Sequence, residues 1–138
     1  AMARSKRRPN LPSAGHCPCG SEQTFGDCCN PILGGSQQAQ TAEALMRSRF
    51  SAFATRNERH LLRSWFPDAR PAGVSFDSDQ TWMRLKVVDT QGGGVLDTTG
   101  FVEFVAHSET SAGPGSFAER SRFVRSDGDW VHVDGVAR

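Results

Sequence analysis

The sequence predicts an α+β fold: two N-terminal helices packed on a curved antiparallel sheet of about four strands, preceded by a small cysteine knuckle. Three observations carry this. Apolar residues recur at three- and four-residue spacing over residues 41–55, and a shorter repeat follows, which is the helical period. From residue 81 onward the pattern changes to two-residue alternation broken by glycine turns, which is the strand period. All four cysteines fall between Cys17 and Cys29. Helices grouped before strands give an α+β rather than an alternating architecture.

Thr41 is placed to cap the first helix, with Ala42, Glu43 and Ala44 suited to its first turn. Leu45, Arg49, Ala52 and Phe53 then share one stripe, and Met46, Phe50 and Ala54 lie beside it. Asn57 can cap a second helix running through Leu61, Leu62 and Trp65, which Pro67 stops. Residues 68–80 are rich in Pro, Gly, Asp and Ser and read as loop with room for a helical turn.

Trp82–Val88 is rich in strand formers. Gln91-Gly92-Gly93-Gly94 is a turn, and it lacks the lysine of a phosphate loop. Over Thr99–Ser108, Phe101, Glu103, Val105 and His107 point one way and Val102, Phe104 and Ala106 the other. Gly113-Pro114-Gly115 is a second break. Phe117, Ser121 and Phe123 alternate with Arg120, Arg122 and Val124. Asp127-Gly128 is a hairpin turn signal, and Trp130–Asp134 closes the sheet. A sheet that curls around the first helix leaves a concave pocket between them.

The organisation along the chain is then a lead-in over 1–15, a cysteine segment over 16–35 and the α+β domain over 36–138, with residues 34–40 reading as a linker. The lead-in holds Arg4, Lys6, Arg7 and Arg8, and no acid precedes Glu22. The remaining chain carries 12 basic against 15 acidic residues, a net charge of −3. Such an arm can touch nucleic acid, but the body offers no matching positive excess, and a short solvated, disordered tail is the plainer reading. No apolar run nears the roughly 20 residues of a spanning helix. The basic, polar N-terminus has no apolar stretch behind it, so no secretory signal is read and the cytoplasm is expected.

Clustered cysteines without a secretory signal point to metal rather than to a disulfide framework. In Cys17-Pro18-Cys19-Gly20-Ser21 and Phe25-Gly26-Asp27-Cys28-Cys29, two passes of chain each offer two thiols, and zinc takes four in a tetrahedron. Gly20 relieves crowding at the turn, and Ser21 is expected to cap a short helix leading to Cys28. Paired disulfides or free thiols are the alternatives, although adjacent Cys28 and Cys29 cannot pair with each other without strain. His16 reads as a neighbour. Four thiolates close the shell, which fits a structural rather than a catalytic zinc.

Cys17-Pro18-Cys19-Gly20-Ser21 with a closing Cys28-Cys29 resembles the SEC-C motif, the zinc tail of the SecA translocation ATPase. The resemblance implies zinc and docking to proteins or ribosomes. Thr41–Phe53, Ser64-Trp65, Gly100–Ala106, Glu119–Phe123, Trp130 and Asp134-Gly135 further resemble the bacterial YchJ family. That resemblance implies a SEC-C knuckle joined to a nuclear-transport-factor-2-like (cystatin-like) cone, and it implies no particular reaction. Some members carry a second SEC-C motif after the sheet, and this sequence ends at Arg138 without one.

In a cone, a carboxylate on the concave face can act as general base while an arginine places the substrate. Glu103 and Glu119 are the candidate bases, paired as Glu103 with Arg49 or Glu119 with Arg47. Arg47, Arg49, Trp82, His107, Arg120 and Arg122 are candidate pocket residues, with structural ion pairs and surface positions as the plainer reading. No Ser-His-Asp or Cys-His arrangement is readable.

Three functions follow. One is a zinc-bearing module that docks a protein through the knuckle or binds a small ligand in the cone. Another is a cone-fold isomerase or hydrolase. The third is a nucleic-acid or ribosome binder using the arm and knuckle.

Overall fold

The computed structural model describes residues 15–138. The basic arm, and with it the nucleic-acid reading, lies outside them. A 3₁₀ turn at Phe25–Asp27 leads into helix α1, Cys29–Gly34. Helix α2 spans Ala42–Thr55 and α3 spans Glu58–Arg63. Strands β1 (Thr81–Gly92), β2 (Thr99–Thr110), β3 (Gly113–Ser126) and β4 (Asp129–Ala137) form one antiparallel sheet in the order β1-β2-β3-β4. Among the described residues no helix is long and apolar enough to cross a membrane.

Capping explains where the helices begin. The Thr41 hydroxyl accepts from the Ala44 N–H at 3.0 Å, and the Asn57 side-chain Oδ1 accepts from the His60 N–H at 3.1 Å. Helix α3 is shorter than its apolar repeat predicts. It stops at Arg63 because the chain turns to dock on the sheet: His132 N–H donates to Ser64 O and Phe66 N–H to His132 O, both at 2.8 Å. Residues 67–69 supply the expected helical turn as a 3₁₀ segment. At the β3–β4 turn, Asp127 (φ 52) and Gly128 (φ 88) both take positive φ, as a two-residue hairpin of this hand requires.

Helix α2 lies across the concave face, against β1, β2 and β4. Leu45, Met46, Phe50 and Ala52 of α2 meet Leu61 of α3 and Leu85, Val102, Phe104, Ala106 and Phe123 of the sheet. Burial of each large apolar side chain here contributes about 1.5–3 kcal/mol. The β2 alternation thus sends Val102, Phe104, Ala106 and Ser108 inward, leaving Phe101, Glu103, Val105 and His107 half-buried on the convex face.

The segment over 36–40 is not a free linker. Ala39 is buried, and the Trp130 indole N–H donates to the Gln40 carbonyl at 3.2 Å.

Candidate metal centre and cone cavity

Residues 15–25 fold back on themselves: Phe25 N–H donates to Gly15 O at 2.7 Å and Cys17 N–H to Gln23 O at 2.9 Å. This brings Cys17 and Cys19 over the 3₁₀ turn that delivers Cys28 and Cys29. Thr24, not Ser21, caps that turn, through its Oγ1 and the Asp27 N–H. The Ser21 hydroxyl lies instead 3.1 Å from Cys28 Sγ, where it orients that sulfur.

The four thiols converge, with their sulfurs all within 4.8 Å of one another, and all four are free of disulfides. Cys19 Sγ is 3.6 Å from Cys28 Sγ, and Cys28 Sγ is 3.9 Å from Cys29 Sγ. A tetrahedron with metal–sulfur bonds of 2.3 Å has edges of about 3.8 Å, so the donor set has the chemistry and spacing of a four-thiolate site.

The protonation pattern agrees. Thiol donors from Cys17 and then Cys29 hold Cys19 well below the usual thiol range. Hydrogen bonds to Cys17 and Cys19, with burial, drive Cys29 far up, and Cys28 is pushed up to about 11, mainly by burial. Negative charge at Cys19 thus disfavours charge at Cys28 and Cys29. A bound cation relieves that repulsion.

The knuckle is seated on the cone. Cys17, Cys19 and Cys29 are buried, and only Cys28 is partly open. Gly20 has φ +81, and a Cβ there would lie 2.9 Å from Leu85 O on β1. Arg47 Nη1 donates to Cys19 O at 2.8 Å, and Ser51 Oγ lies 3.5 Å from Cys17 Sγ, both from α2. Arg63 of α3 donates through Nη2 to Ile32 O and Leu33 O, each at 2.8 Å, closing the C-terminal end of α1.

Between α2 and the sheet lies a second feature, a cavity of about 280 Å³. Aromatic walls come from Phe50, Phe53, Trp65, Trp82, Phe104 and Phe117, and the polar groups are Arg49, Glu119, Ser121 and His132. Arg49 is 3% exposed. Its Nη1 donates to Leu61 O at 2.9 Å and Ser64 Oγ at 2.7 Å, and the guanidinium carbon sits 4.6 Å from the Trp65 ring centroid. Burial pushes its pKa down to about 9, and the Glu119 charge pulls the other way. His132 is pushed down to about 3, by burial first and the Arg49 charge second, so it is neutral at pH 7. Its Nδ1 is buried without a hydrogen-bond partner.

The expected pairings are therefore rearranged. Glu119 shares the cavity with Arg49, whereas Glu103 does not enter it: β2 turns Glu103 to the convex face, where Arg120 Nη1 lies 3.4 Å away and Arg138 Nε 3.7 Å. Arg120 also reaches Asp89, and exposed Arg122 pairs with Asp134 at 3.0 Å, both on that same face. His107 stands opposite Ser116 and Arg84, away from the cavity. Arg47 belongs to the knuckle, with its Nε paired to Glu43 at 3.0 Å. Trp82 lines the cavity, edge-on to Phe50 at 6.2 Å.

His132 is the polar cavity residue that sequence reasoning passed over. A bulge opposite Arg122 and Phe123 breaks the alternation of β4, so His132 faces inward while Asp134 faces outward.

Comparison with known proteins follows the same division. A domain described as the YchJ middle NTF2-like domain matches residues 41–135, and the SEC-C motif matches residues 17–31. The chain belongs to the YchJ family. A UPF0225 protein of Streptomyces coelicolor is 46% identical to this YchJ-family chain over 119 residues, spanning 86% of this chain and 93% of that protein. One from Deinococcus radiodurans is 38% identical, spanning 86% of each. A SEC-C motif containing protein from Rhodopseudomonas palustris, solved in solution, superposes with a TM-score of 0.76 at 31% identity, covering 88% of this chain and 98% of that one. A sec-c motif containing protein from Psychrobacter arcticus gives 0.70 at 26% identity, covering 91% and 84%.

Proposed function

We propose that this chain is a small-ligand-binding protein whose cone is braced by a zinc-bearing knuckle. The cavity carries the proposal. A concave, mostly aromatic space with a few convergent polar groups is the usual form of a ligand site, and this one gathers Arg49, Glu119 and His132 in a shell of aromatic rings. Zinc is the metal that best suits four thiolates in a closed, redox-silent shell. Cys17, Cys19, Cys28 and Cys29 would hold it, and its work would be to fix the knuckle against α2, α3 and β1.

The test has two arms. Elemental analysis of purified protein is expected to find one zinc per chain. Nile red, a neutral apolar dye, is expected to bind and brighten, and Ala106→Phe, which fills the cavity from β2, is expected to abolish that signal while leaving the melting curve cooperative. Dye binding that ignores the filled cavity overturns the ligand reading. Protein without metal that melts at the same temperature as the zinc-loaded form overturns the brace.

A second reading is favoured by Glu119 standing in the same cavity as Arg49. Glu119 would then act as a general base on a substrate held by Arg49, and Glu119→Gln would keep binding and lose turnover. A protein partner docking on the knuckle would meet the open cleft around Cys28, which Ser21, Asp27, Thr41 and Glu43 also line.

A further inference from the structure

We infer that the cone cavity takes small carboxylic acids: a compact apolar body with one carboxylate that pairs with Arg49. This rests on the ligand-binding reading above and adds the identity of the headgroup.

The observation behind it is an unmatched buried charge. A guanidinium withdrawn from water normally finds a carboxylate, because neutral acceptors offset only part of the lost hydration. Among the described residues, no carboxylate oxygen lies within 4 Å of the Arg49 nitrogens. Glu119 is in the cavity, but its Oε2 is engaged by the Ser121 hydroxyl at 2.6 Å and it acts on Arg49 only through space. Both protein acceptors, Leu61 O and Ser64 Oγ, use Nη1. Nε and Nη2 have no hydrogen-bond partner among the described residues, and Arg49 lines the cavity.

The geometry suits a two-point contact. The Trp65 ring lies 4.6 Å from the guanidinium carbon, and Nη1 is tethered twice, so the guanidinium plane is held rather than free to swing. A carboxylate accepts two parallel N–H groups from such a fork, a stronger and more directional contact than a single neutral acceptor makes. Neutral His132 adds no competing positive charge. Phe50, Phe53, Phe104 and Phe117 leave an apolar space for the body. At about 280 Å³ it lies at the small end of ligand pockets, which suits a compound of one or two rings.

The experiment compares 1-naphthoate with its neutral isostere 1-naphthamide, titrated into the full zinc-loaded chain by calorimetry and by amide NMR. Naphthoate is expected to bind at least tenfold more tightly. Glu119→Gln, which removes the one carboxylate that repels the ligand, is expected to widen the gap further. Arg49→Met is expected to reduce naphthoate to the affinity of the amide. Equal binding of acid and amide, or a gap that Glu119→Gln narrows, overturns the headgroup while leaving the ligand-binding reading intact. If neither compound perturbs cavity residues, the ligand-binding reading itself falls.

Discussion

Arg47 on α2 donates to the carbonyl oxygen of Cys19, 2.8 Å away and 28 residues earlier in the chain. The bond crosses from helix α2 of the cone to one of the four clustered cysteines of the knuckle. Arg63 makes the matching crossing from α3 to the last carbonyls of α1. Both arginines thereby donate to the knuckle backbone, and the two parts of the molecule share one hydrogen-bonded seam.

The seam depends on a backbone position that only glycine fills without strain. Gly20→Ala would have to hold φ near +81 and place a Cβ 2.9 Å from Leu85 O, which is backbone and cannot swing away. The expected cost is about 1–3 kcal/mol, read as a lower urea midpoint together with faster zinc loss to a chelator. Gly34→Ala is the control. A Cβ there meets nothing within 4 Å, and alanine favours the helix that Gly34 ends, so stability should hold or rise slightly. Equal effects of the two substitutions would mean that the contact with Leu85 does not matter.

The thiols should rank by burial. Cys19 is fully buried, whereas Cys28 is partly open beside a cleft. Cys19→Ser leaves a polar group in the packed seam as well as a missing ligand, so it should lower the melting temperature more than Cys28→Ser does. In both variants, and after chelation, hydrogen exchange should speed up first in residues 15–35 while β2 and β3 stay protected. Uniform loss of protection across the sheet would show instead that the cone does not stand without the knuckle.

The division of the chain was legible because each part carries its own period. Thr41 and Asn57 cap where their side chains predict, and the β2 alternation sorts its residues into two faces. Which face was inward was not legible. Glu103 and Val102 lie one step apart, and only the position of α2 decides that Val102 goes in and Glu103 out. Trp82 was legible as a pocket residue, whereas His132 was obscured by a bulge near Val133, which shifts parity without a sequence mark. The seating of the knuckle was hidden for another reason: Arg47 and Arg63 donate to its backbone carbonyls and Leu85 meets it through its own carbonyl oxygen, and backbone acceptors look alike in every sequence.

The first hairpin offers a further check on packing. Gly93 O accepts from the Ala42 N–H at 2.9 Å, so the start of α2 rests on the β1–β2 connection. A Cβ at Gly100 would lie 2.6 Å from Gly93 N, backbone against backbone. Gly100→Ala should therefore cost about 2 kcal/mol or more and should shift NMR signals at Ala42 as well as at the hairpin. A neutral substitution would show that the connection has slack.

Acid sensitivity should trace in good part to His60. The ring is buried, with Nε2 2.9 Å from Ser48 Oγ and Nδ1 3.2 Å from Arg63 Nε. Ser48 Oγ donates to Leu45 O at 2.7 Å, so it accepts from an Nε2–H of His60 while Nδ1 accepts from Arg63. Both nitrogens are occupied by the neutral ring, and a second proton on Nδ1 would face a guanidinium. Burial first, then the charges of Arg63 and Arg49, accordingly push the pKa down to about 3. The sign follows from proton counting. Between pH 6.5 and 3 the unfolded chain binds a proton at His60 that the folded chain refuses, so stability rises with pH across that window and is fully present above it. Going from pH 7 to pH 5 should remove about 2 kcal/mol through this one group. His60→Gln should be less stable at pH 7, having lost both hydrogen bonds, but its stability should fall less steeply between pH 6.5 and 4. Thiol protonation and metal release also act in acid, and they are common to both proteins, so the difference between the two urea-midpoint curves isolates His60. Parallel curves would mean that the ring takes its proton without leaving its place between Ser48 and Arg63.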